Sequence, residues 1–360
     1  MIDRIDFKNK KLIYFPILFL ISVCASVIFL YIERKILGIS STYHPDSALY
    51  IDSSAFKAYA FLSFEFSLMK NLQNLFTNLF HGTIYFSISN LFYELNKISD
   101  FNFNQYRSLI KLNIFLFCIT NLIILNAFIK NSENYKIKFF ICILIYFFLP
   151  YKLHLAVNIL KETFVLFFLV LYLFYSNIYT FIISFILGTS LRSLFSLYFL
   201  NYLNFKNIFS KKNFLILISI LLTWLFVITL FISIDDFTNS FLNFIYERNF
   251  ADMGGRNYDN IPNFSEKGYW GILLRVILWP FFFLTGTFIF YSDSFFLNIL
   301  AFEIIILQLM TFFCRKKFVI SAGLIIFLFL LSLYATSFTA FFRYAYLAIQ
   351  IVFLKTFFKL

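Results

Sequence analysis

The chain has 360 residues, of which 61% are hydrophobic and only 13% charged, with a formal net charge of +12. A soluble chain is roughly half apolar and about a quarter charged, so too few polar side chains are present here to cover a water-facing surface. A soluble enzyme, a nucleic-acid-binding module and a disordered chain are thereby excluded. The apolar runs are long enough for helices and lack the strict alternation of a membrane barrel. The sequence therefore predicts an all-α, polytopic integral membrane protein, a single transmembrane domain over 1–360 with about 10 to 11 spans.

The first apolar run, Leu12 to Ile32, follows Arg4, Lys8, Lys10 and Lys11. It is too long for the apolar core of a signal peptide, and Glu33-Arg34-Lys35 follows it. It reads as a retained first helix with the N-terminus in the cytoplasm. Residues 33–57 are then expected outside, as the first extracytoplasmic loop. Over 71–81, Leu72, Leu75, Phe76, Leu79 and Phe80 recur at helical spacing among polar residues. That pattern fits a helix lying in the membrane interface and equally an ordinary helix packed on a bundle.

Ser108 to Ile129 is a clear span, and Lys130, Lys136 and Lys138 mark a cytoplasmic loop after it. Ile137 to Leu149 rises to Pro150, the polar stretch YKLHLAVNILKE follows, and Thr163 to Tyr175 returns. Residues 178–205 read as two pieces meeting near Arg192. Phe214 to Ile234 leaves a basic patch at Lys206, Lys211 and Lys212. Residues 235–267 carry six acids (Asp235, Asp236, Glu247, Asp252, Asp259 and Glu266) and are punctuated by Gly254-Gly255 and Pro262. They form the large extracytoplasmic loop. Tyr269 to Tyr291 contains Pro280 and is expected to re-enter or split there, because the basic patches at 206–212 and 315–317 require an even number of crossings between them. The last pair, Val319 to Tyr334 and Tyr344 to Phe358, is expected to hinge near Arg343, with Lys355 and Lys359 keeping the C-terminus inside.

Four cysteines (Cys24, Cys118, Cys142 and Cys314) are far apart, with no CxxC, so neither a disulfide framework nor a zinc site is expected. No nucleotide-binding or zinc-protease motif is present. The 58 Phe, with abundant Ile, Asn and Lys, suggest an AT-rich coding sequence, so no role is assigned to Phe stripes.

Charges inside a membrane domain are costly and usually face a cavity or a partner. In Tyr43-His44-Pro45-Asp46-Ser47, His44 or Asp46 is a candidate base that takes a proton from a sugar hydroxyl; a capped, solvated loop is the other reading. His154, Asn158 and Glu162 fall at i, i+4 and i+8, which is one face if the stretch is helical, with Lys161 beside it. They read as a polar wall of a substrate cavity or as an interface marker. Arg192 and Arg343 sit in apolar surroundings at expected outer turns, and Arg256 follows two glycines that let the backbone approach a ligand. Such arginines grip a departing diphosphate without a metal, or else snorkel or pair with an acid such as Glu303 or Glu162.

With these residues in place, the layout resembles the Wzy-type O-antigen and capsular polysaccharide polymerases and, more loosely, membrane glycosyltransferases of the GT-C class. The resemblance rests on the many helices, the late outer loop, His44-Pro45-Asp46-Ser47 with Tyr50, the Lys161-Glu162 pair, Arg192, Arg256 and Arg343-Tyr344. It implies a multi-pass protein of the bacterial inner membrane with both termini cytoplasmic. It implies a metal-independent, cofactor-free transfer of a glycan from polyprenyl pyrophosphate to an acceptor sugar hydroxyl on another lipid-linked repeat unit. Arg192, Arg343 and Arg256 would hold the pyrophosphate and Asp46 or His44 would be the base, with a chain-length regulator and a flippase of the same pathway as partners. Two alternatives stay open: a glycosyltransferase using a polyprenyl-phosphate sugar, and a flippase or exporter of lipid-linked glycans.

Overall fold

The structure is a computed structural model. It describes residues 11–38, 88, 91, 105–131, 137–158, 160–191, 195–203, 210–231, 268–287, 295–334 and 338–360. His44, Asp46, the 71–81 stretch, Arg192, Arg256 and the loop over 235–267 lie outside them. All regular structure among the described residues is helical. Five helical stretches among the described residues are long and apolar enough to cross a membrane: Ile13–Ile36, Arg107–Lys130, Ile137–Val157, Phe295–Arg315 and Phe341–Phe358. Glu162–Phe174, Ile178–Leu191, Leu273–Thr285 and Ala322–Leu333 are shorter apolar helices. In hydrocarbon every backbone donor and acceptor needs an internal partner, and an unbroken helix supplies it. The protein is thus an all-α, polytopic membrane protein.

The chain forms two compact units, 1–195 and 196–360. The first contains α1 (Lys11–Tyr31), which continues as a π-helical turn over Ile32–Ile36. It also contains α2 (Gln105–Lys130), α3 (Ile137–Phe147), α4 (Pro150–Val157), α5 (Glu162–Phe174) and α6 (Ile178–Leu191). Helix α2 is central, packing against α1, α4 and α5, and α6 packs on α5. Ser22 and Ser26 are fully buried on α1, where small side chains let neighbouring helices approach closely. Ser26 returns its hydroxyl to the Ser22 carbonyl at 2.8 Å, and Thr120 does the same to Leu116 at 2.7 Å, so these hydroxyls are satisfied within their own helices. Pro150 opens α4 at a position where its missing N–H costs nothing.

The second unit begins with the short helix α7 (Phe195–Tyr198, entered from the last residue of the first unit) and a 3₁₀ turn, Phe199–Tyr202. It continues with α8 (Lys211–Phe231), α9 (Gly268–Thr285), α10 (Phe295–Arg315), α11 (Ala322–Tyr334) and α12 (Phe338–Phe358). Helix α12 packs against α10 and α11, and α9 lies on α11. The core is aromatic, with Phe283, Phe341 and Phe342 in mutual edge or tilted contact. Arg315 closes the far end of α12, its Nε donating to the Phe357 carbonyl at 2.8 Å, one of the terminal carbonyls a helix leaves open.

Two expectations are corrected here. Helix α9 does not split at the buried Pro280 but runs through it to stop at Gly286 (φ +70), a left-handed position suited to glycine. Membrane helices tolerate an internal proline because surrounding groups re-satisfy the freed carbonyl. Arg343 is not at a hinge either: α12 starts at Phe338, which puts the arginine in its second turn.

One close approach is demanding. A Cβ on Gly323 would lie 2.2 Å from the Leu200 carbonyl oxygen, which is backbone and has little room to move. Gly323→Ala should therefore destabilise the second unit by about 1–3 kcal/mol, the usual cost of overpacking. Thermal unfolding in detergent checks this, and an unshifted transition would contradict the close packing of the 3₁₀ turn on α11.

Candidate functional site

Among the described residues of the first unit, a polar cluster gathers where α1 ends. The sequence predicts a loop from Glu33 onward, but the helix continues as a π turn closed by the Leu37 N–H donating to Ile32 O at 3.0 Å. Such turns are rare and cluster at functional sites. Glu33 is fully buried (0% exposed), with Oε1 2.5 Å from Nδ1 of His154, itself 1% exposed. Its other oxygen accepts from the Asn158 amide at 3.0 Å. The next residue, Arg34, donates to Asn158 Oδ1 at 3.2 Å. One amide therefore links the carboxylate to the guanidinium. A π turn rotates consecutive side chains less than an α-helix does, which helps adjacent residues reach the same partner. Burial of Glu33 is tolerable because both of its oxygens are hydrogen-bonded.

His154 and Asn158 meet as their i, i+4 spacing predicts, and the Asn158 amide also donates to the His154 carbonyl at 2.8 Å. The face does not extend to Glu162. Helix α4 stops at Val157, and Asn158 is extended (φ −110, ψ 160). Non-helical backbone at membrane depth survives only when protein groups satisfy it. Here Asn113 of α2 donates to the carbonyls of Asn158 (2.6 Å) and Leu160 (3.2 Å), and Thr163 donates to Leu155 O at 2.9 Å. The break turns Glu162, at the start of α5, away from the face of His154 and towards Lys152. Lys161 occupies the N-cap position of α5 without a side-chain cap and is 8% exposed.

Lys152 and Glu162 line one cavity of ≈ 10 Å³ with Phe117, Thr120, Leu155 and Thr163. That is about the room one water needs. Lys152 is 1% exposed. Its ammonium donates to Asn121 Oδ1 at 2.8 Å and sits 4.1 Å from the Tyr146 ring centre and 5.2 Å from that of Phe117. Ring faces and an amide oxygen replace part of its lost hydration. Asn121 in turn donates to Ser22 Oγ at 3.4 Å.

In the second unit Arg343 is half-buried, its guanidinium 5.4 Å from the Tyr344 ring centre. Glu303 of α10 is fully buried and accepts from the Tyr346 hydroxyl. No group of three or more metal-ligating side chains occurs among the described residues.

Chemically, the first-unit cluster is an oriented imidazole. The Glu33 carboxylate meets the ring at Nδ1, where the Asn158 amide nitrogen also lies 3.1 Å away, and together they fix its orientation. Sequence reasoning singled out His154, Asn158, Lys161 and Glu162 but not Glu33, Asn113, Asn121 or Lys152. Three asparagines inside one 26-residue helix, Asn113, Asn121 and Asn126, were a legible signal, since amides are costly there. Compared with known proteins, the chain matches no family model, no curated protein and no solved structure.

Proposed function

We propose that the chain polymerises lipid-linked oligosaccharide repeat units at the outer face of a bacterial inner membrane, in the manner of the polymerases it resembles. The observation that carries this reading is the buried Glu33–His154 pair at the end of α1. The cations before α1 assign its beginning to the cytoplasm, and the basic patch before α3 does the same for that helix. Both then deliver their polar residues to the outer end, where a translocated lipid-linked sugar is met. His154 takes the proton of an acceptor sugar hydroxyl as that oxygen bonds to the anomeric carbon of the donor. The bond from that carbon to the diphosphate breaks, and the prenyl diphosphate leaves with the electron pair. Oriented acid–base groups contribute about 10²–10⁴-fold in rate. Arg34 beside the pair supplies positive charge for the leaving group; for Arg343, Arg192 and Arg256 that role is what the resemblance implies. His44 and Asp46, the bases read from the sequence, lie outside the described residues, and the geometry supports His154.

A proton-coupled exporter of lipid-linked glycans is the second reading. Burial of both Glu33 and His154 favours it, because intramembrane carboxylate–imidazole pairs also carry protons. A strain lacking the gene separates the two. Loss of a polymerase leaves single repeats on the cell surface with no long chains. Loss of an exporter leaves repeats on the cytoplasmic side and none outside, which would overturn the polymerase.

A further inference from the structure

The basic end of the second unit belongs to none of the groups above. Arg315 donates to the Phe357 carbonyl, so α10 and α12 end together. Lys355, in the last turn of α12, donates from Nζ to the Asn201 carbonyl at 2.9 Å, which brings the 3₁₀ turn to that end. Helix α8 packs on the same 3₁₀ turn. Ser210 caps its start, with the Asn213 N–H donating to Ser210 Oγ at 3.3 Å. Lys211 and Lys212 open the helix, and the Lys212 and Lys355 ammonium groups lie close enough to repel each other.

This crowding of positive charge is costly. The first turn of a helix already carries a partial positive charge, so lysines there are disfavoured. Lys355 is half-buried, where repulsion is screened less than in water. Glu303 is the only acid among the described residues of this unit, and it accepts from the Tyr346 hydroxyl. On α10 it stands about 18 Å before Arg315, at about 1.5 Å per residue. Membrane orientation calls for cations at one end of a bundle, but not for two ammonium groups converging beside Asn201.

From the lysines onward, α8 presents an apolar track. Asn213, Ile216, Ile220 and Thr223 are buried on one face. Phe214, Leu215, Leu221 and Leu222 are exposed on the other, at helical spacing from the lysines. Lys212 to Leu222 covers about 15 Å, half of the roughly 30 Å hydrocarbon layer and so the depth of one leaflet.

We propose that Lys212 and Lys355 form a headgroup site for an anionic phospholipid, with its phosphodiester between the two ammonium groups and an acyl chain along Phe214, Leu215, Leu221 and Leu222. The phosphate offsets the repulsion between the lysines. An ammonium has three donors, and Lys355 uses one of them on Asn201, which leaves others for phosphate oxygens. Basic pockets between membrane helices take lipid headgroups by the same physics. A free phosphate would meet the lysines but leave the apolar track unused. The site stands apart from the glycan reading and does not rest on it.

The test is native mass spectrometry of the purified full chain, delipidated in detergent and titrated with dioleoylphosphatidylglycerol or dioleoylphosphatidylcholine. The phosphatidylglycerol is expected to bind saturably and at least about tenfold tighter, the share that two lysines contribute. Lys212→Gln combined with Lys355→Gln should abolish that preference. Lys316→Gln combined with Lys317→Gln takes the same charge from the same end and should leave the preference intact. Equal affinity of the wild type for the two lipids overturns the site. An equal loss in the two double variants overturns it as well, because diffuse charge then explains the binding. Inorganic phosphate in excess should not displace the lipid; displacement assigns the lysines to a free anion and overturns the lipid. If the Lys212→Gln and Lys355→Gln double variant does not fold, Lys212→Gln alone, at an exposed position, decides. A wild-type preference in that single variant overturns the proposal.

Discussion

Glu33→Gln should leave the first unit folded and reduce long-chain glycan on the cell surface by about 10²–10⁴-fold in rate, the usual share of an oriented acid–base group. Glutamine keeps the size of the side chain and one acceptor oxygen, so Asn158 retains a partner. What it loses is the carboxylate charge held against Nδ1 of His154. His154→Ala should cost as much activity and also leave Glu33 buried beside a gap. Removing one partner of a buried pair costs about 3–5 kcal/mol. Surface glycan on a gel, with protein abundance and thermal unfolding measured in parallel, separates the two variants. Normal chain lengths in a stably expressed Glu33→Gln strain would remove the pair from the chemistry.

Lys152→Met is the second large effect. It leaves the Asn121 oxygen without its donor and sets Glu162 against an apolar wall of their shared cavity. The expected loss is roughly 1–3 kcal/mol, the usual cost of leaving a buried acceptor unsatisfied. Adding Glu162→Gln should recover part of it, with a coupling of about 0.5–3 kcal/mol for residues that share a cavity. A double-mutant cycle of thermal unfolding in detergent reads this directly. If Lys152→Met stabilises the protein, or the two changes simply add, the lysine and the glutamate do not act across that cavity.

The helices were legible because their cause is local: apolar runs of membrane length leave the backbone no other solution. The site was legible only in part. The His154–Asn158 contact follows from i, i+4 spacing, with Asn158 as the residue that ends the helix. Glu162 left that face because α4 ends at Asn158 with neither glycine nor proline there, held open by Asn113 forty-five residues earlier. Glu33 looked like the start of an outer loop, since its partner lies 121 residues away and nothing near it in sequence announces burial. Arg275 carries no local signal of burial either, since the carbonyl that holds it is 58 residues distant. Pro280 erred in the other direction. A proline reads as a break in water, but a buried membrane helix carries it without interruption.

The most direct measurement is product analysis of the purified full chain in nanodiscs, supplied with a synthetic prenyl-diphosphate-linked oligosaccharide and followed by mass spectrometry. The account predicts a glycan two repeats long on one lipid, released prenyl diphosphate in equal amount, and neither product from the His154→Ala variant. Elongation by that variant at the wild-type rate, or no elongation by the wild type, would contradict it.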